Sequence, residues 1–424
     1  MTPRTFSWQI VAVGAVAAMA LAGCSSSSSG STAGSTTSAA ATTSAATSVA
    51  DGSLKIGTLL PQTGSLAFLG PPEFAGVDLA IKDVNAAGGV LGKPVTQDKS
   101  DSGDSETDIA SSSVDRLLSD HVDAIIGAAS SSVSKTVIDK ITGAGVIQFS
   151  PANTSPDFTD YADHGLYFRT APSDVLQGRV LGDLILGDGA QNVAIMALQD
   201  AYGTGLAANV TKSVTGGGGT IVKQVIYDPK ASTFSAEVGQ IKAANPDAIA
   251  LIAFDETKKI IPEMVKQGID IKKVYFVDGN LADYSKDFAK GTLAGAKGTL
   301  PGVVASAAFK KKLLAVDPKL TEFSYAPESY DAVVLTALAA EEAKSDAGTA
   351  VAAHLVDVSK GGTKCTTYVD CDKLVKAGTD IDYDGISGPV EFSDKGDPTE
   401  ATIGIYQYQS DNKYKFLEGK AGKL

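Results

Sequence analysis

From residue 54 onward, short apolar runs alternate with stretches of helical periodicity. Residues 54–60 read as a strand. Phe74, Val77, Ile81 and Val84 then recur at helical spacing until Gly88 and Gly89 stop the helix. Residues 122–126 read as a buried strand, 132–141 as a helix and 146–149 as another strand. A second series follows: helix 175–186, strand 193–198, a helix beginning near Gly203, and strand 221–227. It continues with helix 234–243, strand 248–253, helix 260–265 and strand 274–277. An Ala-rich helix is expected over 330–343, and strands over 389–392 and 402–408. Strand–helix alternation of this kind predicts parallel sheets covered by helices on both faces, and two such series predict two α/β lobes. Ligands of open α/β sheets bind at the carboxyl ends of strands, so the expected site is the cleft between the lobes.

Composition narrows the class. The 424-residue chain is 43% hydrophobic and carries a formal charge of −13. That acidity, with no basic cluster, excludes a nucleic-acid binder. Three histidines (His121, His164, His354) lack metal-ligand spacing to any cysteine, and no metal or cofactor is expected. Cys365 and Cys371 lie six residues apart and are expected to form a disulfide in an exported chain.

The N-terminus sets the compartment. Arg4, an apolar run over 8–22 and Leu21-Ala22-Gly23-Cys24 resemble a bacterial lipoprotein signal. The run is shorter than the roughly 20 residues that cross a bilayer as a helix. The resemblance implies cleavage after residue 23, lipidation of Cys24 and an extracytoplasmic protein held on the membrane by its acyl chains. Residues 25–53 are almost all Ser, Thr, Ala and Gly, a composition expected to form a flexible tether.

Catalytic motifs are weak. The segment 88–93 superficially resembles a phosphate loop but is one residue short, and Pro94 stands where Ser or Thr is required. Ser132 and Lys135 have Ser-x-x-Lys spacing, without the companion motifs of a serine acyl enzyme. Asp101, Asp104, Glu106 and Asp108 lack the spacing of an EF-hand and read as surface. The more informative stretch is 127–154. There a strand runs into small residues and serines before a helix, and the next strand ends in Ser150-Pro151-Ala152-Asn153-Thr154. A helix N-terminus flanked by hydroxyls binds a carboxylate without a basic side chain. The same serines also suit simple helix capping, and the residues alone leave both readings open.

From residue 54 to the C-terminus the chain resembles the branched-chain amino acid class of ABC-importer solute-binding proteins, the leucine/isoleucine/valine-binding type. The resemblance rests on ordered stretches: 57–64, Glu73-Phe74-Ala75-Gly76, 85–89, 150–154, Phe168-Arg169-Thr170 and Tyr202-Gly203. Pro246-Asp247, Tyr330-Asp331-Ala332, Gly388-Pro389 and 394–397 extend the series. It implies a two-lobe type I periplasmic binding fold, with lobes of residues 54–172 plus 302–388 and 173–301 plus 389–424. It further implies a monomer that closes by hinge bending on a small ligand and docks on ABC permease subunits.

 Carried over by position, Ser131 and Thr154 would hydrogen-bond a ligand carboxylate, and the Ala152 carbonyl would accept from an amino group. Tyr202 would pack on the ligand from the second lobe, and Tyr325 would line the side-chain pocket.

Two positions depart from the leucine-binding relatives. Leu69 replaces an aromatic residue, and Asn280 falls where a glutamate pairs with the ligand ammonium. Either Asp255 or Asp278 supplies the missing charge, or the ligand lacks an α-amino group, since a buried ammonium needs a carboxylate. The expected ligand is an amino acid or a related carboxylate or amide. A sensor for a membrane receptor is the alternative to transport, and no catalytic residue is expected.

Overall fold

The computed structural model describes residues 48–424. The predicted signal, Cys24 and most of the tether lie outside the described residues. The end of the tether, 48–53, is fastened to the folded body. Ser48 Oγ donates to Asp123 (3.2 Å), and the amides of Asp51 and Ser53 donate to the Asp346 carboxylate (3.1 and 2.7 Å). The folded body therefore takes in residues before Leu54, because two carboxylates collect one hydroxyl and two backbone amides of this polar stretch.

The first lobe is built on strands β1 (Lys55–Leu60), β2 (Thr96–Asp101), β3 (Ala124–Gly127), β4 (Ile147–Ser150) and β5 (Tyr167–Arg169). They form an all-parallel sheet in the order β2-β1-β3-β4-β5. Helices α1 (Gly70–Ala86), α2 (Ile109–Ser119) and α3 (Ser131–Gly143) connect them. Side chains alternate across the sheet: Ala124 and Ile126 join one apolar cluster, while Ile125 joins the other with Val114, Leu117 and Val137. β2 was not expected, because its sequence, TQDKSD, is that of a polar edge strand.

The second lobe begins with α4 (Asp174–Gly187), β6 (Asn192–Leu198), α5 (Ala201–Gly216), β7 (Thr220–Tyr227) and α6 (Ser235–Ala243). It continues with β8 (Ala248–Ile252), α7 (Thr257–Lys266), β9 (Val274–Phe276) and β10 (Lys297–Pro301). The chain then returns to the first lobe for α8 (Ala307–Val316), α9 (Ala326–Ala343), α10 (Gly348–Leu355), β11 (Thr363–Cys365), α11 (Tyr368–Lys376), β12 (Ile381–Gly385) and β13 (Gly388–Pro389). α9 is buried along nearly its whole length and packs on α1. A Cβ at Gly76 would lie 2.4 Å from the Ala326 carbonyl oxygen, so the approach of these helices requires glycine there. Cys365 and Cys371 are bonded, with Cα atoms 5.4 Å apart.

Finally β14 (Glu400–Tyr408) and β15 (Tyr414–Lys423) rejoin the second sheet, whose order is β15-β14-β10-β9-β8-β6-β7. This corrects the expectation of a purely parallel sheet in each lobe. β10–β14 and β14–β15 pair antiparallel, the latter through a tight hairpin turn at 409–413. The expected strand over 389–392 is also cut short: β13 ends at Pro389, and Phe392 makes only an isolated bridge.

The chain passes between the two sheets at 170–173, 302–306 and 390–399. A buried cation ties this seam together. Arg169 Nε donates to Asp397 at 2.6 Å, and its Nη1 donates to the carbonyls of Asn153 (3.3 Å) and Ser155 (2.7 Å). Glu328 also faces the seam. Its carbonyl accepts from Thr170 Oγ1 at 3.0 Å, and its carboxyl packs on Gly302. Burial pushes that carboxyl up to about 8, with Asp331 adding to the shift.

Two outcomes follow from this seam. Arg169→Met leaves Asp397 without its cation, and its expected cost is about 3–5 kcal/mol in urea denaturation. A carboxyl whose folded pKa is raised stabilises most below its unfolded pKa and loses that contribution as pH rises through the folded value. Glu328→Gln, which keeps the neutral shape, is therefore expected to exceed the parent in stability at pH 8 by about 2 kcal/mol, with the gap closing toward pH 4.5.

Candidate functional site

The carboxyl ends of the strands of both lobes converge on one small cavity. From the first lobe come Leu66 and Leu69 after β1, Ala129, Ser130 and Ser131 after β3, and Ala152 and Thr154 after β4. Tyr325, immediately before α9, completes that side. From the second lobe come Tyr202 on α5, Phe254 after β8, and Asp278 and Gly279 after β9. In the order β2-β1-β3-β4-β5 the topology reverses between β1 and β3, where a crevice opens in folds of this kind.

One end of the cavity offers donors. Ser130 caps α3, its hydroxyl accepting from the Val133 amide, and the first amides of a helix have no preceding carbonyl to bond. Ser131 Oγ accepts from the Ser155 amide at 3.2 Å, which locks the two site loops together. Asn153 Nδ2 donates to the carbonyls of Ala128 and Ala129 (3.0 and 2.8 Å), and Ser150 Oγ donates to Ala128 O (2.7 Å). Small residues keep this wall open, and the hydrogen bonds keep it rigid.

The other end is acidic. Asp278 Oδ1 accepts from Tyr202 OH (2.7 Å) and Gln177 Nε2 (2.9 Å), and Oδ2 accepts from Tyr325 OH (2.7 Å). Burial raises this carboxyl above its ordinary range, while the three donors pull it back toward the ionised form. Tyr202 and Tyr325 are themselves pushed up, burial first and then the charge of Asp278, so both phenols stay protonated donors. Tyr202 stacks on Phe254 with ring centroids 5.4 Å apart, giving the cavity an apolar wall.

Six expected residues (Leu69, Ser131, Ala152, Thr154, Tyr202 and Tyr325) line this one cavity. Two others do not. Asn280 is buried in the second lobe, with Oδ1 accepting from the Val277 amide (2.9 Å) and Nδ2 donating to Leu251 O and Thr257 Oγ1 (both 3.1 Å). It closes the turn after β9. Asp255 lies in a neighbouring groove, exposed and paired with Lys258 at 2.6 Å. The acidic group at the cavity is Asp278, one residue past the apolar run 274–277 at the carboxyl end of a strand. Phe254, Leu66 and Gln177 were missed, having no polar motif to mark them.

The lobes also meet at the rim. Ser132 Oγ accepts from the Ala201 amide and donates to Asp200 Oδ2, both at 3.0 Å. Glu106 pairs with Lys230 across the opening. Ser132 is thus engaged across the rim, and Lys135 is bonded to Asp157 at 2.6 Å, so the two do not form a nucleophile–base pair. Among the described residues no cluster of three or more metal-ligating side chains occurs, and no helix is long and apolar enough to cross a membrane.

Residues 53–413 match the family described as periplasmic binding protein. The Leu/Ile/Val-binding protein BraC3 of Rhizobium johnstonii is 26% identical over 369 residues, covering 85% of this chain and 93% of that protein. A chemotactic signal transduction system substrate-binding protein, BasB of Halobacterium salinarum, is 26% identical, covering 80% of this chain and 83% of that protein. Among solved structures, the branched-chain amino acid transporter substrate-binding protein LivJ of Streptococcus pneumoniae, in complex with isoleucine, superposes with a TM-score of 0.72. It is 23% identical and covers 88% of this chain and 100% of that one.

The placements of Asn280 and Asp255 are separable by stability. Asn280→Ala strands buried partners and is expected to cost about 1–3 kcal/mol. Asp255→Ala breaks an exposed pair and is expected to stay within about 0.5 kcal/mol in the same urea titration.

Proposed function

The chain belongs to the periplasmic binding protein family, and from that premise we propose that it captures a small amine-bearing carboxylate and delivers it to an ABC importer. The observation that carries this reading is the polarity of the cavity: a helix N-terminus with hydroxyls at one end, and a buried aspartate at the other. An α-amino acid carries both matching groups on its α-carbon. In this reading Ser131 and Thr154 hold the carboxylate with the first amides of α3. The Ala152 carbonyl and Asp278 receive the ammonium, and Leu66, Leu69, Tyr202 and Phe254 enclose the side chain. BraC3 and the isoleucine-bound LivJ support the ligand class.

Residues 54–172 with 302–388, and 173–301 with 389–424, act as the two halves of a hinged clamp, with ligand favouring the closed form. The mature protein is an extracytoplasmic monomer, lipid-anchored through Cys24. It has no catalytic step, in keeping with the separate engagements of Ser132 and Lys135. The chemotactic relative favours a second reading, in which the closed form signals to a membrane receptor.

Thermal unfolding of the full chain against leucine, isoleucine, γ-aminobutyrate, benzoate and urea tests the ligand class. A ligand at a hundredfold excess over its Kd stabilises by about 2.7 kcal/mol, a shift of a few degrees. Shifts confined to the amine-bearing ligands are expected, and Asp278→Asn is expected to weaken their binding about 100-fold or more. A shift with benzoate alone overturns the ammonium assignment.

A further inference from the structure

A second carboxyl lies beside Asp278 without a close partner. Asp174 begins α4 on the first segment that passes between the lobes, and its amide donates to the carbonyl of the site residue Thr154 at 2.7 Å. Its side chain is wholly buried and neither carboxyl oxygen makes a close hydrogen bond, the Thr154 hydroxyl being the one donor that acts on it. Gln177, three residues on and therefore on the same face of α4, bonds Asp278 Oδ1 at 2.9 Å, so this first turn reaches the floor of the ligand cavity. The groups that act on Asp174 come from every neighbouring element: Asp278 after β9, Asp200 at the start of α5, Thr154, and Arg169 at the end of β5. Arg169 is the one cation among them, and it is already committed to Asp397 and to two backbone carbonyls.

A second charge in this buried site would have no free cation to balance it. Asp278 has three close donors to support a charge and Asp174 has only the Thr154 hydroxyl, so the proton belongs on Asp174. We infer that Asp174 is the protonated partner of Asp278, a positioning residue whose neutral form keeps Asp278 available as the anion, and that capture of a cationic group by Asp278 releases a proton from this pair. Burial, and next the charge of Asp278, hold the Asp174 carboxyl well above its usual range, in the same direction. The proton release rests on the proposed ligand reading. The pairing does not.

The test compares the pH dependence of folding stability in the full chain with that of Asp174→Asn, which mimics the protonated side chain, using urea titrations from pH 5 to 8. A carboxyl with a raised folded pKa loses its contribution as pH rises, so the parent's folding constant is expected to fall relative to the variant by up to tenfold per pH unit. In an Asp278→Asn background the same substitution is expected to flatten the profile less, because the neighbouring charge is gone. Parallel profiles for the parent and Asp174→Asn overturn the inference. Should Asp174→Asn not fold, Asp174→Leu, which removes the carboxyl at similar volume, takes its place: a flatter profile than the parent's supports the inference, and a parallel one overturns it. No ligand enters this comparison, so a failed ligand panel shows separately.

Discussion

The guanidinium of Arg169 is the interaction on which the seam between the lobes depends. It is fully buried, paired with Asp397 from the third connecting segment, and bonded to the carbonyls of Asn153 and Ser155. Thr154 sits between those two carbonyls. The loop at the donor end of the cavity is therefore held by the same cation that fixes a connecting segment. Replacing a buried ion pair with apolar residues is often neutral for stability, but removing one member alone is not. What the pair supplies here is a fixed relation between hinge and site.

The cavity needs both lobes to be complete. Ser131 and Thr154 belong to one side and Asp278 to the other, while Tyr325 reaches across to the Asp278 carboxylate. Separating the lobes costs that bond, the Ser132–Asp200 bond at the rim and the apolar contacts of Leu66 and Leu69 with the second lobe's cluster. Each is modest alone, since a hydrogen bond contributes about 1 kcal/mol net. Together they leave a conformational balance that a ligand touching both sides can shift.

Much of this was legible in the sequence because burial on both sheet faces writes long apolar runs. β1, β3, β4, β6 and β8 all fell where those runs predict. The site loops were legible for another reason: Ser131, Ala152 and Thr154 lie in ungapped register with the resembled family. Legibility failed where packing writes no apolar pattern. β2 is a polar edge strand, and β15 is exposed along most of its length. It failed again at Asn280, which lies two residues beyond the acidic group in a short turn. A turn of one residue more or less moves a side chain from the cavity to the backbone, and chain position alone does not resolve that.

The buried acids of the seam share a physical logic. Glu73 and Glu328 lie between α1 and α9, and Asp174 and Asp278 lie under the cavity; burial raises all four. Arg169, the buried cation nearby, is saturated by Asp397 and backbone carbonyls. The fold thus concentrates carboxyls where it has left little positive charge to balance them. Hydrogen-bond donors sort them: Asp278 has three close ones, Asp174 has only the Thr154 hydroxyl, and Glu73 has none. Asp278 is thus the carboxyl at the cavity whose charge the fold best supports. On the proposed reading, a cation arriving from the cleft would meet that one supported carboxyl, since Arg169 is already committed to Asp397 and backbone carbonyls.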